Sequence, residues 1–353
     1  MKKLFVFLMI AVTFAACQNA QQGSVDDKSE KVSLTAAGAT FPLPFYNLSF
    51  AKYSEATGVN LTYGGIGSGG GIRSLKDRVI DFGGSDAFLD DEQQAAMPAE
   101  VVHIPTCIGA VVVAFKLQGI ETLNLSDALL EGIFLGNITQ WNDPAIKAIN
   151  PGLNLPDLAI TVVYRSDGSG TTFIFSDYMS KVSDKWSQQV GTGKSLNWPV
   201  GIGAKGNPGV AGTIGQTEGA IGYIGSEFAF SQKISFAAVQ NSSGSYVIPS
   251  MASISAAANT DIPADTRVML TNSDDPEAYP ISGFTWILLY KEQSYDGRSR
   301  AKAEAMVKFL QWIIGSEAQA VAPTVHYAPL PESAVVRAQE ILGSVTYDGK
   351  PVQ

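Results

Sequence analysis

The sequence predicts an α/β protein with largely parallel sheets. Short alternating or apolar runs of strand length recur between stretches with helical spacing of apolar residues, an alternation that implies layered strands and helices. The joints between them are rich in glycine and hydroxyl residues. The chain has 353 residues, and the roughly 320 that follow its N-terminal segment suffice for two lobes.

Val32, Leu34 and Ala36 alternate as a strand, and a helix is predicted from about Pro42 to Thr57, closed by Gly58. Val59, Leu61 and Tyr63 form the next strand. A glycine-rich turn spans Gly64 to Gly71, with a helix from there to about Arg78. Ile80 to Gly84 is a strand ending at Ser85 and Asp86, and Ile108 to Phe115 reads as a fully buried strand. Ser126 caps a helix through Phe134. Ile160, Val162 and Tyr164 then alternate ahead of a helix from about Gly170 to Val182. Further strands are predicted at Ala220 to Ile224 and Phe284 to Tyr290, and a last amphipathic helix from about Arg298 to Ile314.

The N-terminus sets the compartment. Lys2 and Lys3 precede an apolar stretch, Leu4 to Ala16, too short for the roughly 20 residues that span a bilayer. Residues 1–16 therefore read as a signal peptide. The site Phe14-Ala15-Ala16-Cys17 resembles a bacterial lipobox, with Phe14 where leucine is usual. Cys17 would then be the first mature residue and carry a lipid, the alternative being an ordinary secreted protein cut nearby. Residues 17–32 are polar and read as a solvated tether. The second cysteine, Cys107, lies among apolar neighbours and is expected to be a small buried hydrophobe without a disulfide. A net charge of −9 and pI near 4.8 argue against a nucleic-acid partner.

Three segments share one design: Gly38-Ala39-Thr40-Phe41-Pro42, Gly65-Ile66-Gly67-Ser68-Gly69-Gly70-Gly71 and Arg165-Ser166-Asp167-Gly168-Ser169-Gly170-Thr171. Each follows a predicted strand and opens a predicted helix. Unpaired N–H groups and a partial positive charge at a helix start hold an anion without any lysine. Pro42 and Pro44 lack N–H groups, so Thr40 and Phe41 are the donors of the first segment. Singly, such turns often serve only as caps. Three at strand-to-helix junctions gather where α/β sheets bind ligands. Arg165 supplies a fork for oxyanions, and Asp86 is either a site residue or a cap.

Together with Asp-Phe-Gly-Gly-Ser-Asp-Ala (81–87), Trp141-Asn142-Asp143-Pro144, Gly219-Ala220-Ile221-Gly222-Tyr223 and Tyr327-Ala328-Pro329-Leu330-Pro331, these segments resemble the phosphate-binding proteins of Pst-type phosphate ABC transporters. The resemblance runs from about residue 33 to 345. It implies a two-lobed periplasmic-binding-protein fold (type II-like) with a hinge between two α/β domains. Residues 33–108 and 282–353 would form one lobe and 109–281 the other, with crossings near Thr106 to Val111 and Pro280 to Phe284. Thr40, Phe41, Ser68, Ser169, Gly170 and Thr171 would donate to phosphate oxygens, and Arg165 would bind one face, held by Asp167. Asp86 would accept from a protonated oxygen, which phosphate has at neutral pH and sulfate lacks. Gly69 replaces a usual serine and Phe88 a usual proline. The implied protein is a monomeric, cofactor-free, lipid-anchored receptor in the periplasm or at the cell surface. It would deliver inorganic phosphate to permease subunits in the inner membrane.

Two other classes use similar residues. An exported phosphatase-like or phosphoryl-transfer enzyme needs a nucleophile with a base, or a metal cluster. The two histidines, His103 and His326, lie in no spaced ligand motif. A dinucleotide-binding oxidoreductase could use Gly65, Gly67 and Gly70 as G-x-G-x-x-G, with Asp86 as the acidic ribose partner.

Overall fold

The computed structural model describes residues 32–352. The signal-peptide, Cys17 and most of the tether readings lie outside the described residues. One mixed sheet runs through the protein in the order Asn60–Gly65, Ser33–Gly38, Phe82–Ser85, Ser282–Tyr290, Val101–Phe115, Ala220–Gly225, Thr161–Arg165, Ile202–Ala204. Its two ends are parallel, as strand–helix alternation requires. The long central strands run antiparallel to each other and to their neighbours, a departure from the largely parallel expectation. They differ because they carry the chain between the two halves in opposite directions.

The central strand begins at Val101 rather than Ile108. Pro105 disguises its first half in the sequence, since proline cannot donate to a ladder. The structure accommodates it with an irregularity: Trp286 faces Pro105 but Thr285 faces Cys107, so Thr106 is the extra residue. Thr106 is not left unsatisfied. Its hydroxyl pairs with Tyr46 Oη at 2.9 Å and donates to Thr285 O, and its carbonyl accepts from Gln319 Nε2. From Ala110 onward the strand changes partners, leaving Ser282–Tyr290 for Ala220–Gly225.

The glycine-rich run is not all turn. Its helix starts at Ser68 and ends at Lys76, so Gly69, Gly70 and Gly71 are helical. Helix-interior glycine is costly, and close packing is what it secures here. A Cβ on Gly71 would lie 2.6 Å from Gly38 Cα and 2.7 Å from Ala37 O. The helix thus presses against strand backbone, and Gly38, at φ +151°, leaves no room in turn for a side chain against Gly84. Gly71→Ala is expected to lower the chemical-denaturation midpoint by the equivalent of about 1–3 kcal/mol, the usual cost of overpacking. An unchanged midpoint would show that the helix can slide away.

Most other elements lie where the sequence placed them, including Leu43–Thr57, Asp127–Phe134 capped by Ser126, Gly170–Val182 and Arg300–Ile313. Cys107 is fully buried on the central strand. No described helix is long and apolar enough to cross a membrane.

Candidate functional site

The three hydroxyl-rich segments meet at one point. Ser68 Oγ accepts from the backbone N–H of Gly170 at 3.0 Å and of Asp86 at 3.2 Å. Gly69 N–H donates to Gly168 O at 2.9 Å. A fourth helix start joins them, Gly206–Gln216. From it, Asn207 donates through its backbone N–H and Nδ2 to Thr40 Oγ1, and through Nδ2 to Thr171 Oγ1. Asn207 and Gly206 escaped the sequence reading. The preceding strand, Ile202–Ala204, is too short to display a period, though Gly206-Asn207-Pro208-Gly209 carries the same turn chemistry.

The direction of these bonds gives the site its character. Thr40, Ser68 and Thr171 each accept from N–H groups, so each hydroxyl keeps its own hydrogen to donate. Ser169 caps its helix by accepting from Thr172 N–H, and its own N–H is spent on Lys194 O. Arg165, 4% exposed, donates through Nε and Nη2 to Asp167 at 2.8 and 2.6 Å and through Nη1 to Thr171 Oγ1. A guanidinium has five N–H groups, so two remain on its outer edge. Burial works against the Asp167 charge, but its bonds to Arg165 and to Gly206 N–H prevail and hold its carboxyl below the usual range. Phe41 is fully buried against Tyr327, in the turn that carries Thr40.

Among these donors stands one carboxylate. Asp86 is 1% exposed, and burial pushes its pKa up to about 7, against the opposing pulls of Thr285, Arg165 and Ser68. Thr285 Oγ1 donates to Asp86 Oδ1 at 2.6 Å. Thr285 was not foreseen in sequence. It stands next to the strand irregularity, the kind of place where sheets re-aim side chains. The arrangement therefore offers many hydrogen-bond donors, one cation and one acceptor in a closed space. That suits a small tetrahedral oxyanion carrying one proton.

The segments approach closely. A Cβ on Gly170 would lie 2.5 Å from Ser68 Oγ and 2.7 Å from Asp86 Oδ2, and a Cβ on Gly69 would press on Gly168 at 3.2 Å. Phe88, where proline is usual, packs edge-on to Phe173 and Trp286 beside Asp86. His103 sits away from these segments with Nε2 accepting from Leu89 N–H, and burial lowers its pKa to about 3. His326 is exposed and packs on Phe230. Among the described residues, no group of three or more His, Cys, Asp or Glu side chains is placed to hold a metal.

Comparison with known proteins follows the same line. Residues 19–317 match the family model described as the PBP superfamily domain. The phosphate-binding protein PstS of Xylella fastidiosa is 43% identical over 314 residues, covering 88% of this chain and 84% of that protein. A high-affinity periplasmic phosphate-binding protein (PfluDING) solved with phosphate superposes with a TM-score of 0.70 at 21% identity, covering 88% of this chain and 93% of that one. A Clostridium perfringens structure described as a phosphate ABC transporter substrate-binding protein, also with phosphate, gives a TM-score of 0.61 at 17% identity and covers 85% and 100% of the two chains. These structures share the two-lobed mixed α/β fold, and the chain belongs to the PstS family of phosphate-binding proteins.

Proposed function

We propose that this chain is an extracytoplasmic receptor that captures inorganic phosphate and delivers it to the permease of an ABC-type importer. The observation that carries the reading is Asp86: a buried carboxyl, set among donors and beside Arg165, as a proton-accepting partner for the ligand. Phosphate would receive hydrogen bonds from Thr40, Phe41, Ser68, Ser169 and Thr171 and from the outer edge of Arg165; the Gly170 N–H, expected to join them, is given to Ser68 Oγ instead. Asn207 and Asp167 would hold these donors in place. The lobes divide where the central strand changes partners, 33–108 with 282–353 against 109–281. The bonds from Gly170 to Ser68 and from Asn207 to Thr40 then join one lobe to the other, and closing about the two long strands encloses the anion. The chain acts without catalysis, as a monomer tethered by lipid on Cys17.

Calorimetric titration tests this directly. Phosphate is expected to bind tightly at pH 8, arsenate to compete with it, and sulfate to give no comparable heat. Equal affinities for sulfate and phosphate at that pH would remove the role given to Asp86. Hydrolysis of phosphate esters by the purified protein would favour the enzyme reading instead.

A further inference from the structure

A second buried acid lies behind the cradle and has no part in the reading so far. Glu227 opens the helix Ser226–Gln232, immediately after the strand Ala220–Gly225. It is 2% exposed, and neither carboxyl oxygen meets a hydrogen-bond partner of good geometry; the buried Ser226 hydroxyl beside it lacks one too. The carboxyl is folded back on the chain, so a Cβ on Gly225 would lie 2.1 Å from Oε1. Gly225 N–H in turn donates to Asn207 Oδ1 at 3.1 Å, and Asn207 holds Thr40 and Thr171.

The Tyr327 hydroxyl neighbours this carboxyl. Its single hydrogen is committed, at 2.5 Å, to the carbonyl of Phe41. A phenol has one proton to give, so only Glu227 can supply the hydrogen for a bond between the two. We propose that Glu227 is a positioning residue that carries a proton in this closed arrangement and donates it to Tyr327 Oη, bracing the Phe41 turn of the anion cradle. The inference rests on the receptor reading and its lobe division. Glu227 would belong to one lobe, Tyr327 and Phe41 to the other, so the bond forms on closing.

The surroundings favour the neutral acid. Burial is the dominant influence and pushes the Glu227 pKa well above its ordinary value. The titratable groups that face it are Tyr327, Cys107 and Asp86, none of them a cation. The adjoining helix Gly206–Gln216 has no ionisable side chain. Its own backbone amide favours the charge without prevailing. When the lobes part, water reaches the carboxyl and it ionises at neutral pH, so closure takes up a proton at Glu227.

The experiment compares the full chain with Glu227→Gln and Glu227→Ala. Phosphate titrations near pH 7, in buffers of different ionisation heat, are expected to show wild type taking up about one proton more than Glu227→Gln. Glu227→Ala, which has no donor for Tyr327, should bind phosphate several-fold more weakly than Glu227→Gln. Thermal melts of phosphate-saturated protein, held in the closed arrangement, give a separate reading. A folded pKa above the unfolded value means stability present at low pH and lost as pH rises, so wild type should fall relative to Glu227→Gln above about pH 4.5. Equal proton counts with parallel melting curves would overturn the proposal. If phosphate gives no heat with any variant, the receptor reading falls and this inference with it.

Discussion

Asp86→Asn is expected to narrow the gap between sulfate and phosphate affinity and to bind sulfate independently of pH. In the wild type the outcome turns on who owns the proton. At pH 8 the Asp86 carboxyl, with a pKa raised to about 7 by burial, is largely ionised in the ligand-free site. Hydrogen phosphate brings its own hydrogen and converts the encounter into a charge-assisted bond. Sulfate brings none. Two like charges about 4 Å apart at an effective dielectric near 20 repel by roughly 4 kcal/mol, or about a thousandfold in affinity. As pH falls below 7, Asp86 acquires the hydrogen itself and can donate to sulfate. Sulfate affinity of the wild type should therefore climb between pH 8 and pH 5.5, while Asp86→Asn stays flat. Competition titrations at the two pH values measure this, and a wild-type sulfate affinity that does not move would contradict it. The same sign governs folding. A folded pKa above the unfolded 3.8 means that stability present at low pH is lost as pH rises through about 7.

Gly170→Ala is expected to abolish tight binding while leaving the fold intact. Alanine is the better helix former at this first helical position, and the glycine shows no left-handed backbone that would exclude it. Its methyl group, however, would stand 2.5 Å from Ser68 Oγ and 2.6 Å from Asp86 Cβ. Closing over the anion then requires the two segments to stay apart, losing the bond from Gly170 N–H to Ser68 Oγ and the bond Ser68 would make to the ligand. A bond to a charged group is worth about 1.5–3 kcal/mol and a neutral one about 0.5–1.5 kcal/mol, so a loss on the order of a hundredfold or more in phosphate affinity follows. Calorimetry paired with a melting curve separates the two effects. Tight binding by Gly170→Ala would mean that the cradle does not close this far.

The three segments proposed to hold the anion were legible as one site because their chemistry is local. A strand, a glycine–hydroxyl turn and a helix start lie within a few residues, and Gly38 to Pro42, Gly65 to Gly71 and Arg165 to Thr171 all meet in the structure as that logic requires. Asp86 was legible as a strand-end acid, but the amount of water stripped from it was not. Asn207 and Thr285 escaped for different reasons. Asn207 follows a strand of three residues, and Thr285 owes its position to an extra residue opposite it on another strand, a property of pairing rather than of sequence. The first half of the central strand was missed as well: it contains Pro105, which a bulge absorbs. The run Gly69 to Gly71 read as turn because glycine is a poor helix former, while its purpose was to let a helix lie against strand backbone.

The pairing of Val101–Phe115 with Ser282–Tyr290 has a mechanical consequence. Both crossings between the halves are strands bonded to each other along a ladder, with their exchange of partners near Ala110 and Ser282. Under the proposed lobe division, rotation of one half against the other would flex a two-stranded leaf spring rather than swing on two slack cords. A leaf resists in proportion to its deflection, so each degree of closure about the proposed hinge would store a restoring torque. Such a receptor would have a definite open resting angle and would return to it without help once its cargo had gone.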